Sequence, residues 1–209
     1  MRLTNDGTRY GAVARVLHAS VVLLVTFQFL SITAFRYLEE APQQMAWTVL
    51  DAHKTAGLLL LLVVTVRVGW RLWCPPPPPP DQLDAWDRLS SLWLERGLYA
   101  LLFVMALSGL TIELTGGYTV PFLSLFHLDA VAPWLHAGPV VHGAAADAAR
   151  KATTVPWLRD AMVALHVAGT FLTVALVASH VSHVARHSVG KAHPLLDRMD
   201  PWHLFHRER

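Results

Sequence analysis

Four of the twelve histidines lie inside long apolar runs, where an ionisable side chain is costly and points to a function. They are His18, His53, His166 and His180. His166 and His180 stand fourteen residues apart in one run. On a helix, at about 100° and about 1.5 Å per residue, they lie about 40° apart in phase and about 21 Å apart in height. They share a face and fall in opposite halves of a bilayer whose hydrocarbon core is about 30 Å thick. His18 opens the first apolar run and His53 opens the second, so an up-and-down order of spans sets them at opposite levels. By depth the four sort into two pairs, His18 with His180 and His53 with His166.

Two neutral imidazoles facing each other can hold a metal from both sides. A zinc site takes three or four ligands at one level, whereas each level here offers two. The arrangement suits six-coordinate b-type haem, with the porphyrin filling the space between helices. Small residues leave room for a flat macrocycle: Ala52 and Ala56 flank His53, Ala168 and Gly169 follow His166, and Ala178 and Ser179 precede His180. The chain has one cysteine, Cys74, and no CxxCH attachment motif, so two haems would be held non-covalently. The single cysteine also excludes a disulfide framework and any four-cysteine iron–sulfur site.

The elements that must position these residues are four apolar stretches, each about long enough to cross a bilayer. The spans are expected at about 15–35, 50–73, 92–114 and 160–186 of one transmembrane domain covering residues 1–209. The whole chain of 209 residues is 54% hydrophobic and only 15% charged, with mean hydropathy +0.38. A soluble domain carries about a quarter charged residues. This composition argues against a disordered or nucleic-acid-binding protein, and the net charge of +2 implies no polyanionic partner. The fold class expected is all-α, an integral membrane four-helix bundle with two haems stacked across the bilayer.

Twelve of the seventeen Lys and Arg residues fall on the side that holds both termini and the loop between the second and third spans. The positive-inside rule places that side in the cytoplasm. Residues 75–80 are six prolines, a polyproline rod of roughly 19 Å. Residues 115–156 are read as an external cap with a short amphipathic helix near 141–152, and residues 187–209 as a cytoplasmic tail. Arg67 and Arg71, four apart, share a helix face and have two readings, contact with haem propionates or anionic substrate, and snorkelling to headgroups. Lys54, beside His53 at the outer level, is a candidate contact for an anionic substrate. His183 and His187 continue the His180 stripe at the membrane edge, where solvent or propionates are their expected partners. No nucleophile–base pair or phosphate loop supports hydrolytic or nucleotide chemistry.

Several segments resemble the bacterial cytochrome b561 family of small di-haem, quinone-linked membrane cytochromes. YGAVARVLHASVVLLV, from Tyr10, is similar to its first helix, with Ala19 where the family usually has Trp. HKTAGLLLLLVVTVRVGWRLWCPPPPPP, from His53, resembles its second helix and proline tail. YALLFVMALSGL, from Tyr99, resembles the third, and LHVAGTFLTVALVASH, ending at His180, the fourth, continuing through His187 to LLDRM. Glu95 stands where the family often has histidine, and Ala106 where it has proline. The Glu95 departure changes the groups available for quinone or proton handling. The resemblance implies haem ligation by the same four histidines, residence in the bacterial inner membrane and exchange with ubiquinone. It further implies oxidation of superoxide at the outer face. Two other readings stand beside it: an anchor subunit passing electrons between quinone and a redox partner protein, and a non-redox histidine-containing transporter.

Overall fold

A computed structural model describes residues 2–38, 43–80, 83–116, 120–122, 126–127, 155–188 and 198–199. Its main elements are four helices, α1 (Ala12–Tyr37), α2 (Gln43–Trp73), α3 (Ala85–Gly116) and α4 (Pro156–Ser188). All four are long and apolar enough to cross a membrane, with mean hydropathy of 1.9, 1.7, 1.8 and 2.0 over their most apolar windows. Between α3 and α4 lies a two-residue antiparallel pair, β1 (Pro121–Phe122) and β2 (Phe126–His127), with Pro121 opposite His127. Beside this short pair the fold is the expected all-α one, built on four apolar helices. The amphipathic helix expected at 141–152 lies outside the described residues.

The distribution of side chains is that of a protein dissolved in hydrocarbon. Large apolar residues point outward on every helix, among them Leu23, Leu30, Leu62, Leu107, Phe171 and Leu172. Buried positions are mostly small or weakly polar: Ala12, Ala14, Ala46, Ala56, Ser31, Ser108, Thr115 and Thr173. Lipid tails are as apolar as leucine, so close backbone approach and hydrogen bonding, rather than burial of large apolar groups, hold such helices together.

Local chemistry accounts for the helix ends. Asp84 caps α3, its Oδ1 accepting the Asp87 N–H at 2.7 Å. Pro156 opens α4, where its missing N–H costs nothing. The six prolines from Pro75 cannot continue α2. Asn5 covers the carbonyls left at that end, donating to Cys74 O (3.0 Å) and Pro75 O (2.9 Å). The same residue accepts the Gly11 N–H at 2.9 Å, and the carbonyls of Arg2 and Leu3 accept from Ala12 and Val13 at the start of α1. Beside it the backbone N–H groups of Thr8 and Arg9 hold the Asp6 carboxyl below the usual carboxylate range.

The chain forms two compact units. The first comprises Met1–Val22, Leu62–Leu102 and Phe171–Arg209, and the second Leu23–Leu61 and Phe103–Thr170. Each of the four helices contributes to both.

Candidate functional site

The first unit contains His18 on α1 and His180 on α4. Their ring centroids are 6.3 Å apart, with the planes at 71°. An ion between them, at about 2 Å from each facing nitrogen plus about 1 Å more to each ring centre, requires centroids about 6 Å apart. The separation suits two ligands on one metal ion held between the rings. Arg67 lies beside it, donating through Nε to the Tyr99 hydroxyl (2.8 Å) and through a terminal nitrogen to Ala14 O (3.1 Å). Arg71 is paired with Glu95, the contact being 2.7 Å. Both arginines line an open pocket of about 270 Å³ with Tyr10, Cys74 and Tyr99. Both make protein contacts of their own here, and Glu95, the residue that departs from the family pattern, is what Arg71 meets.

The second unit contains His53 on α2 and His166 on α4. Each Nδ1 lies against a buried serine: Ser31 Oγ at 3.0 Å from His53, and Ser108 Oγ at 2.9 Å from His166. Each serine hydroxyl lies at 3.1 Å from the carbonyl three residues back, Gln28 for Ser31 and Met105 for Ser108. A hydroxyl has one proton. Donated to the carbonyl, it leaves the serine oxygen as acceptor, which places the proton of His166 on Nδ1 and leaves Nε2 with its lone pair, the form in which imidazole binds a metal. At His53 the amide of Gln28 adds a second contact. Its nitrogen donates to His53 O (3.1 Å) and to His53 Nδ1 (2.9 Å), while its oxygen accepts from Gly57 N–H (2.9 Å). Gly109 gives His166 its room, since a Cβ there would lie 3.1 Å from the ring.

Lys54 is also in the second unit. Its ammonium lies 2.8 Å from Glu113 Oε2 and 3.4 Å from Asp51 Oδ1, with the side chain 6% exposed. Its charge is thus shared with two carboxylates. The sequence reading missed Ser31, Ser108, Gln28 and Glu113. The available signal is polarity within an apolar span.

The family model of prokaryotic cytochrome b561 matches residues 9–202. The chain belongs to the prokaryotic cytochrome b561 family. It is also similar to cytochrome b561 homolog 2 of Escherichia coli (strain K12), 27% identical over 137 residues, which are 62% of this chain and 69% of that protein. The four apolar helices are the four-helix membrane fold of this family. Membership makes the chain a multi-pass membrane cytochrome, implies b-type haem as its cofactor and gives it an oxidoreductase-type role in transmembrane electron transfer.

Proposed function

We propose that the chain carries two b-type haems, one held by His18 and His180 and the other by His53 and His166, and passes electrons from superoxide at the outer face to ubiquinone in the membrane. The observation that carries the haem assignment is the 6.3 Å separation of His18 and His180, and in the second pair Ser31 lies against His53 Nδ1 and Ser108 against His166 Nδ1. Haem supplies one-electron chemistry when bound. The protein orients the imidazoles, excludes water with its apolar helices and sets the electrostatics. Arg67 and Arg71 are the residues suited to haem propionates or an anionic group in the first unit. Lys54 lends positive charge at the outer level, moderated by Glu113 and Asp51. Both termini are assigned to the cytoplasmic side of the bacterial inner membrane by the excess of basic residues there.

A second reading, an anchor subunit serving a redox protein, is favoured by one feature: Lys54 is nearly covered and ion-paired, so little exposed positive charge remains there for a small anion. A pyridine haemochrome assay on the purified protein is expected to give about two haems per chain. His53→Ala and His166→Ala should lose one spectral component, and His18→Ala and His180→Ala the other. Stopped-flow haem reduction after a superoxide pulse separates the donors. A fast phase supports superoxide, and its absence in fully haem-loaded protein supports a protein partner.

A further inference from the structure

We propose that Asp87, His183 and His187 form a binding site for a divalent transition-metal cation, separate from the two histidine pairs. The three residues lie in the first unit, Asp87 in the first turn of α3 and the histidines near the end of α4. His183 and His187 are four residues apart, so they project from one helix face, with ring centroids 4.7 Å apart. One donor atom from each of the three residues lies within 4.8 Å of the others.

The spacing of the first two donors is that of a metal site. Asp87 Oδ2 lies 3.3 Å from His187 Nε2. Two ligands on a tetrahedral zinc, each bonded at about 2.0–2.1 Å, stand about 3.3 Å apart. The carboxylate is already aimed, because Arg186 binds its other oxygen, Oδ1, at 2.8 Å. His183 completes the set by exchanging one contact. Its Nε2 lies 2.7 Å from Ser91 Oγ, and a rotation of the ring trades that hydroxyl for the cation. The side chains of Asp87 and His187 are 16% and 7% exposed, dry enough to favour ligation and open enough to load.

Donor chemistry selects the ion. Two imidazoles and one carboxylate suit zinc and its first-row neighbours. Magnesium and calcium take oxygen ligands and have little use for imidazole. Three protein donors leave a fourth position for water. Nothing in the sequence links Asp87 to these histidines, since about a hundred residues separate them in the chain.

The test uses untagged full-length protein in detergent, stripped with a chelator and equilibrated with buffered zinc. Elemental analysis is expected to find one zinc per chain, and the zinc K-edge absorption spectrum to show two imidazoles and an oxygen donor. Asp87→Asn and His187→Gln should each weaken zinc binding at least about tenfold. Ser91→Ala, which releases His183 and removes no donor, should bind zinc at least as tightly as wild type. Haem absorbance and thermal melting report whether each variant is folded. If a variant does not accumulate, the wild-type edge spectrum and His183→Gln carry the decision. The proposal is overturned if the wild type binds no zinc. It is equally overturned if the variants bind as tightly as wild type, since the zinc then sits on other histidines of the chain.

Discussion

When the single proton of the Ser108 hydroxyl is donated to the Met105 carbonyl, 3.1 Å away, much of the second unit's chemistry follows. The Ser108 oxygen is left to accept from His166, which makes the imidazole a stronger electron donor through its other nitrogen. In the proposed ligand set, Ser108→Ala removes that acceptor. Ferric haem then loses stabilisation, and the midpoint potential of one haem should rise. One neutral hydrogen bond is worth about 1 kcal/mol, a few tens of mV for one electron. Spectroelectrochemical titration checks this, with the other haem as the internal reference. Ser31→Ala should shift the same haem less, because the Gln28 amide nitrogen donates to His53 Nδ1 and already limits what the serine can accept from it. An unmoved potential in Ser108→Ala would leave the serine a packing residue. The shared level of His18 and His180 was legible in the sequence because helical phase and depth are properties of one helix at a time. The partners of His53 and His166 were not. Which residue of α1 or α3 stands opposite an imidazole depends on rotation and vertical offset between helices, and Ser31 and Ser108 look like any other small residue in an apolar run.

At the scale of elements, the spans were legible because bilayer thickness and hydropathy set them directly. Each helix nevertheless runs beyond its apolar run, α2 starting at Gln43 and α3 at Ala85, because capping and turn chemistry, not hydropathy, sets the ends. The end of α2 depends on a residue far from it in sequence. Asn5 makes three backbone hydrogen bonds, to Gly11, Cys74 and Pro75, and so joins the start of α1 to the end of α2. Asn5→Ala is expected to destabilise the protein by about 1–3 kcal/mol, seen as a lower midpoint in thermal melting of the detergent-solubilised cytochrome. Asn5→Asp should recover only the Gly11 contact, since a carboxylate cannot donate to the two carbonyls. A melting temperature unchanged in both variants would show that water serves these carbonyls equally well.

At the scale of the whole molecule, charge is what separates the two readings of function. The outer side by the predicted topology holds seven acidic and five basic residues, so attraction of a small anion must be local. Lys54 supplies such a charge, and Glu113 offsets it at 2.8 Å. Glu113→Gln should therefore speed haem reduction by superoxide, and Lys54→Glu should slow it, with both haems kept. The wild-type rate should fall as added salt screens the charge. Stopped-flow measurements at low and high ionic strength check all three. Rates that ignore both substitutions and salt would favour a protein partner. The ion pair itself could not be read from the sequence, where Lys54 shows only its chain neighbours and Glu113 lies on a different helix.

The contacts of Arg198 carry a consequence for how the chain is made. Arg198 donates to Thr8 O at 2.9 Å and to Pro78 O at 2.7 Å, fastening three stretches that leave the ribosome at very different times. Between Pro78 and Arg198 lie 120 residues of synthesis, about 6–24 s at ordinary elongation rates. Through that interval the amino-terminal segment and the proline rod wait without their last fastening. The last fastening of this end therefore waits for nearly the whole chain to be made.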